Sequence, residues 1–207
     1  MTDCPPISLI IFDLGNVLVQ VDFSRGLYPY LTGSGLSEVQ NNEMDRLFGN
    51  ELFRDFNRGK VTPLEFYQSL VNRFHLDLKY GPFVQKWCDV FSPMPKMDSL
   101  LDKLKKNYFL TLLSDTDPLH WNYCLTHFSY LQKLQKPTLS FETGFLKPAL
   151  PSYQAVLEKT GYRAQQCLFI DDRPKNVEAA RRVGMKAIHF QHAGQLESDL
   201  IRLQILF

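Results

Sequence analysis

Leu9-Ile10-Ile11-Phe12-Asp13-Leu14-Gly15-Asn16-Val17-Leu18-Val19 is the stretch that decides the fold. Four apolar residues run straight into an aspartate, and a glycine follows two positions later. A short apolar run rich in isoleucine and bounded by a turn residue predicts a strand buried on both faces, as in a parallel sheet. Asp13 then stands at the carboxyl end of that strand, the edge of an open α/β sheet where ligands bind. Gly15 permits a tight turn and leaves its amide uncovered. One reading is a carboxylate nucleophile beside N–H groups that hold an anion. The other is an aspartate that only ends a strand and opens a turn.

Beyond that strand the pattern changes. Residues 23–92 carry no good strand candidate and read as helices broken by turn residues. Gly33-Ser34-Gly35 is a loop signal, and Val39, Met44, Leu47 and Phe48 recur at helical spacing within Ser37–Phe48. Glu51–Arg58 predicts a short helix ended by Gly59. Thr62-Pro63-Leu64-Glu65 offers an N-cap threonine, a proline at the first helical position and a glutamate that closes a capping box. Gly81-Pro82 opens another helix, and Ser92-Pro93-Met94-Pro95 reads as a stiff linker.

From residue 96 helices and strands alternate. Helices are predicted over Met97–Lys106, Pro118–Phe128, Leu150–Lys159, Pro174–Val183 and from Gln195 onward. Extended segments are predicted over Tyr108–Leu113, Thr138–Phe141, Cys167–Ile170 and Ala187–Phe190. This alternation argues for a parallel α/β sheet, and the strand-free stretch after the first strand argues for an inserted helical domain.

Composition narrows the partners. The 207 residues are enough to bury a sizeable core, and 44% hydrophobic with 22% charged residues is ordinary for a globular protein. Net charge is +1 without a dense Lys/Arg block, which argues against nucleic acid or an anionic membrane as partner. Cys4, Cys88, Cys124 and Cys167 show no zinc or redox spacing, so a reducing compartment without disulfides is expected. The N-terminus lacks a signal-peptide stretch, and no apolar run approaches the ~20 residues of a membrane helix. A cytoplasmic protein, monomer or homodimer, is expected.

Three later segments carry polar residues after apolar runs. Leu112-Leu113-Ser114-Asp115-Thr116 puts a hydroxyl at a strand terminus, either for a phosphate oxygen or as plain turn chemistry. Gly144-Phe145-Leu146-Lys147-Pro148 sets one lysine in a Gly/Pro-bounded loop, as a phosphate-binding ammonium or a solvated side chain. Leu168-Phe169-Ile170-Asp171-Asp172-Arg173-Pro174 ends a buried strand in two adjacent carboxylates. Their repulsion would be offset by a cation, and hard oxygen ligands with no nearby His or Cys suggest Mg²⁺. The competing account is an aspartate N-cap for the helix opened by Pro174, which explains one carboxylate but not both. The five histidines, His75, His120, His127, His189 and His192, have no partner triad and read as satisfied or exposed.

In order along the chain, Asp13, Ser114, Lys147 and Asp171-Asp172 resemble the four motifs of the haloacid dehalogenase-like hydrolase superfamily. Phe-Asp-Leu-Gly-Asn-Val-Leu, Leu-Ser-Asp-Thr, Leu-Lys-Pro and Ile-Asp-Asp resemble its branch of bacterial α-D-glucose-1-phosphate phosphatases. The resemblance implies a Rossmann-like core with helices on both faces, from residues 1–17 and 95–207, and a four-helix cap over 18–94. It also implies Mg²⁺-dependent hydrolysis of a small phosphorylated metabolite such as a sugar phosphate, through an aspartyl-phosphate. Carried over, Asp13 attacks phosphorus, and Ser114 and Lys147 hold phosphoryl oxygens. Leu14, Gly15 and Asp115 line the phosphate. Asp13, the Gly15 carbonyl and Asp172 ligate Mg²⁺, with Asp171 a ligand directly or through water.

Two positions depart from that pattern. Most phosphatases of the superfamily have an aspartate acid–base at the position of Gly15, and the related branch usually has asparagine at the position of Asp115. General acid–base help is worth about 10²–10⁴ in rate; Asp22, Asp115 or a metal-bound water are the candidates to replace it. The rival readings are a metal-independent haloacid dehalogenase, against which the Asp171-Asp172 pair argues, and a non-catalytic phosphate-binding protein. Phe23, Phe53, Phe56 and Trp87 are candidate pocket residues, although aromatics at helical spacing serve cores more often.

Overall fold

The computed structural model describes residues 6–27, 31 and 50–205. Its centre is the strand the sequence announces, β1 (Leu9–Phe12), every residue of which is buried. β1 pairs in parallel with β4 (Phe109–Ser114) on one side and β6 (Cys167–Asp171) on the other, with Phe12 opposite both Leu112 and Ile170. Outer strands β5 (Thr138–Leu139) and β7 (Lys186–His189) complete a five-stranded parallel sheet of order β5-β4-β1-β6-β7. The chain leaves β1 toward β4 and β5, then crosses back to β6 and β7. The carboxyl ends of β1, β4 and β6 therefore border the point where winding reverses, the position for a ligand in such sheets.

Both faces are covered, which is why β1, and β6 up to Asp171, are apolar at every position rather than at alternate ones. Ile10, Phe12, Leu110, Leu112, Leu168 and Ile170 share a core with α4 (Met97–Leu104), α5 (Pro118–His127) and α9 (Ala193–Arg202). Leu9, Ile11, Leu113, Cys167 and Phe169 point the other way, onto Tyr153 and Val156 of α7 (Leu150–Thr160) and Ala179 and Ala180 of α8 (Pro174–Arg182). Gly161 and Gly184 follow the ends of α7 and α8 with φ of +81° and +96°.

Between β1 and α4 lie three described helices: α1 (Glu51–Asn57), α2 (Pro63–Phe74) and α3 (Tyr80–Cys88). The capping box read from Thr62 and Glu65 is present in both directions at the start of α2. The three helices meet through aromatic rings. Phe56 stacks on Phe66 at 4.0 Å, and Phe66 meets Phe53 and Trp87 edge-on at 5.4 and 4.9 Å. Phe53, Phe56 and Trp87 are at most 2% exposed, so they form the core of the helical insert and not a pocket; Phe23 packs half-buried against the same cluster. The loop expected at 33–35 and the helix expected over Ser37–Phe48 lie outside the described residues.

One expectation for this region is corrected. Residues 91–93, read as strand-free and then as linker, form β3 (Phe91–Pro93), antiparallel to β2 (Val19–Val21). This ribbon joins the two crossings between the sheet and the insert. Three residues are too few for an alternation signal, and Pro93 masks the strand because it brings no N–H; an edge position tolerates that loss. At 138–141 only the first two residues are extended, and α6 (Ser140–Thr143) follows at once.

Cys88, Cys124 and Cys167 are free and buried, and burial pushes the Cys88 and Cys167 thiols up to about 12. Among the described residues no helix is long and apolar enough to cross a membrane.

Candidate active site

Sheet register alone brings the first two acidic groups together. Because Phe12 lies opposite Ile170, Asp13 and Asp171 stand side by side one residue further on, and Asp13 N–H donates to Ile170 O at 2.9 Å. On the other flank Ser114 ends β4, buried at 2% exposure and two residues beyond the Phe12–Leu112 pair. Lys147 arrives from the loop between α6 and α7, where its peptide bond to Pro148 is cis. Its ammonium sits 2.8 Å from Asp13 Oδ1 and 2.8 Å from Asp171 Oδ2. Its backbone N–H donates to Asp115 Oδ1 at 2.9 Å. Lys147 is thus tied to the site at both ends, and Asp115, where the related branch usually has asparagine, is engaged by that N–H.

Asp171 is buried, and both its oxygens accept hydrogen bonds. Its Oδ1 accepts from Arg173 N–H (2.8 Å) and Asn176 Nδ2 (3.0 Å), and its Oδ2 from Lys147 and from Asn176 Nδ2 (3.1 Å). The N-cap of α8 is Arg173, so neither member of the acidic pair is the cap residue, contrary to the simpler account of that pair. Asp172 is partly open. Its Oδ2 lies 3.4 Å from Asn16 Nδ2, and its carbonyl lies 2.9 Å from His189 Nε2. One carboxylate oxygen each of Asp13, Asp171 and Asp172 falls within 4.8 Å of the others.

This crowding shapes the electrostatics. Burial, helped by Asp171 and Asp172 and opposed by Lys147, pushes Asp13 up to about 7. Burial and then Asp171 raise Asp172. For Lys147 burial alone would lower the ammonium, but Asp13, Asp171 and Asp115 together hold it above the ordinary lysine range. One ammonium bridges Asp13 and Asp171, and Asp172 adds a third carboxylate to the cluster, so all its ligand atoms are hard oxygen donors. That donor set fits a divalent, oxygen-loving cation such as Mg²⁺.

The turn after β1 is narrow. Leu18 and Val19 N–H both donate to Leu14 O (2.9 and 3.0 Å), and Asn16 takes a φ of +56°. Leu14 N–H, expected to face substrate, donates to Asp13 Oδ1 at 2.7 Å. Gly15 forms a bridge to Val19, and a Cβ there would meet Val21 Cγ2 at 3.3 Å. Asp22, one candidate acid–base, is engaged by the N–H and hydroxyl of Ser24 at 2.9 and 2.6 Å, which hold its carboxyl below the usual range.

Sequence reading passed over Asn16 and Asn176. Asn16 was findable: a residue after a glycine at a sharp turn must often take positive φ, which asparagine tolerates. Asn176 gave no local signal, since it acts by standing on the first turn of α8 beneath Asp171.

The haloacid dehalogenase-like hydrolase family profile matches residues 10–190, from β1 through β7. A D-ribitol-5-phosphate phosphatase of Bacteroides thetaiotaomicron is 25% identical over 202 residues, covering 92% of this chain and 95% of that protein. A sesquiterpene phosphatase of Aspergillus oryzae is 26% identical over 196 residues, covering 90% and 91%. A crystal structure of a family enzyme from Bacteroides thetaiotaomicron, in complex with magnesium and inorganic phosphate, superposes with a TM-score of 0.79 at 23% identity, covering 90% and 96%. Its magnesium complex gives 0.79 at 25% identity, covering 96% and 100%. With the profile spanning the sheet and all four motif segments, Asp13, Ser114, Lys147 and Asp171-Asp172, the chain belongs to the haloacid dehalogenase-like hydrolase family.

Proposed function

We infer that this hydrolase is a Mg²⁺-dependent phosphoric monoester hydrolase acting on a small phosphorylated metabolite, a sugar or sugar-alcohol phosphate. The observation that carries the reading is the bridge of Lys147 between Asp13 and Asp171, with Asp172 within 4.8 Å of both. The relatives that act on D-ribitol 5-phosphate and on a sesquiterpene phosphate support the reaction class, and the first supports a polyol skeleton.

Asp13, Asp172 and the Gly15 carbonyl would hold Mg²⁺, with Asp171 a direct or water-mediated ligand. An ion held there would supply positive charge against the phosphoryl oxygens and would favour the ionised Asp13 carboxylate. Asp13 attacks phosphorus through a carboxylate oxygen as the P–O ester bond breaks, the leaving oxygen takes its proton from solvent, and water cleaves the aspartyl-phosphate to return Asp13 and inorganic phosphate. Lys147 offsets the charge that develops on the transferring group, and Ser114 orients one of its oxygens. Asp171 positions Lys147, and Asn176 and Arg173 N–H position Asp171. Gly15 carries no proton, so an anomeric leaving group of a sugar phosphate departs from this site with little help, whereas the primary oxygen of a sugar-alcohol phosphate needs a proton from another donor.

The test is hydrolysis of an aryl phosphate and of a panel of sugar and polyol phosphates, with and without Mg²⁺. Turnover only with Mg²⁺, and none in Asp13→Asn, is the expected outcome. A wild type inert across the whole panel overturns the reading, and metal-independent halide release from a 2-haloacid would replace it with dehalogenation.

A further inference from the structure

One of the contacts between the helical insert and the sheet domain is built around a single hydroxyl. Ser140, at the start of α6 and only 2% exposed, accepts from Thr116 N–H through Oγ at 2.9 Å. The same Oγ lies 2.6 Å from Asn57 O, at the end of α1, and 3.0 Å from Thr116 O. A serine hydroxyl has one proton, so it serves one of these two carbonyls at a time. The shorter distance assigns it to Asn57. Beside it, Gly59 lies so close to Phe141 that a Cβ would come 2.0 Å from the Phe141 carbonyl oxygen, and its φ of +69° favours glycine as well.

Thr116 is two residues past Ser114 and one past Asp115, on the loop that enters the cleft. Its backbone is held by the same hydroxyl that meets the insert. When α1 lifts away, the proton can turn to Thr116 O, and no buried donor is left unpaired. At this contact, lifting of α1 is thereby spared the penalty of an orphaned buried hydroxyl.

We propose that Ser140 is a positioning residue for the hydrolysis: its hydroxyl joins the docked insert, through Asn57 O, to the loop that follows Ser114 and carries Asp115. The proposal rests on the phosphatase reading for its kinetic consequences only.

Two variants and two measurements test it. In Ser140→Ala, hydrogen exchange of the Thr116 amide rises about tenfold, as one buried hydrogen bond is lost, while amides of β1 keep their protection. kcat for a sugar or polyol phosphate falls about five- to tenfold, with KM changed less than about twofold. Gly59→Ala approaches the contact from the insert side. It separates α1 from α6, so kcat falls similarly while the Thr116 amide stays protected, its oxygen and Ser140 now pairing with each other. Full kcat in Gly59→Ala, or a faster Thr116 amide with unchanged kcat in Ser140→Ala, overturns the proposal. If the wild type hydrolyses no phosphate ester, the phosphatase reading fails, and the exchange measurements still decide whether Ser140 couples insert and loop. Should Ser140→Ala not fold, Gly59→Ala alone decides: full kcat overturns the coupling, and reduced kcat with a protected amide supports it.

Discussion

The ammonium of Lys147 lies 2.8 Å from Asp13 Oδ1, and both side chains are almost wholly withdrawn from water. Each makes the other tolerable in that place. Lys147→Met leaves Asp13 and Asp171 as buried carboxylates without their cation, and breaking a buried pair this way costs about 3–5 kcal/mol. Urea unfolding should show that loss, and turnover should vanish. A stability change within experimental error would mean the pair is not buried as described.

Mg²⁺ should stabilise the wild type. A ligand that binds only the folded state adds about 2.7 kcal/mol at a hundredfold excess over its dissociation constant. The melting temperature should therefore rise with added Mg²⁺, and Asp172→Asn should flatten the response. A similar rise in that variant would place the cation elsewhere.

Gly15→Asp tests why the site lacks a proton carrier. A Cβ at this position meets only Val21 Cγ2, at 3.3 Å, so the side chain needs a small shift of a flexible neighbour. Rates for alkyl phosphates, whose leaving groups need a proton, should rise by about tenfold or more, within the 10²–10⁴ ceiling of general acid–base help. Aryl phosphates should change little. Equal effects on both substrates would rule out proton transfer as the missing element.

Asp117 anchors the start of α5 to the insert. It accepts from Leu119 N–H and His120 N–H at 2.9 Å and from Trp87 Nε1 at 3.3 Å, and His120 Nδ1 lies 2.8 Å away. Asp117→Ala removes a cap and strands buried donors, a loss of about 2–4 kcal/mol. Asp117→Asn keeps the two cap bonds and should lose clearly less. Both are read by chemical denaturation, and equal losses would refute the capping role.

Hydrogen bonds from Lys105 and Lys133 hold the exposed carboxyl of Asp102 down at about 2. A depressed carboxyl stabilises the fold above its unfolded value near 3.8 and loses that contribution as pH falls toward about 2. The stability gap between wild type and Asp102→Asn should thus be present at pH 6 and close across that acidic window. A gap that persists at pH 2 would contradict the sign.

The residues themselves determined the layered sheet. Leu9–Phe12 and Cys167–Ile170 are apolar at every position, which only burial on both faces explains, and each strand after residue 96 alternates with a helix. The four site segments were legible for the same reason: a charged or hydroxyl residue directly after such a run has to sit at the strand's carboxyl edge. Tertiary structure decided the rest. The register of β1 against β6 sets Asp13 beside Asp171, and a loop some 130 residues downstream of Asp13 delivers Lys147 between them. The β2–β3 ribbon, the hold of Asn176 on Asp171 and the meeting of Asn57, Thr116 and Ser140 depend on backbone atoms and distant pairings, and those leave no periodic trace in a single chain of letters.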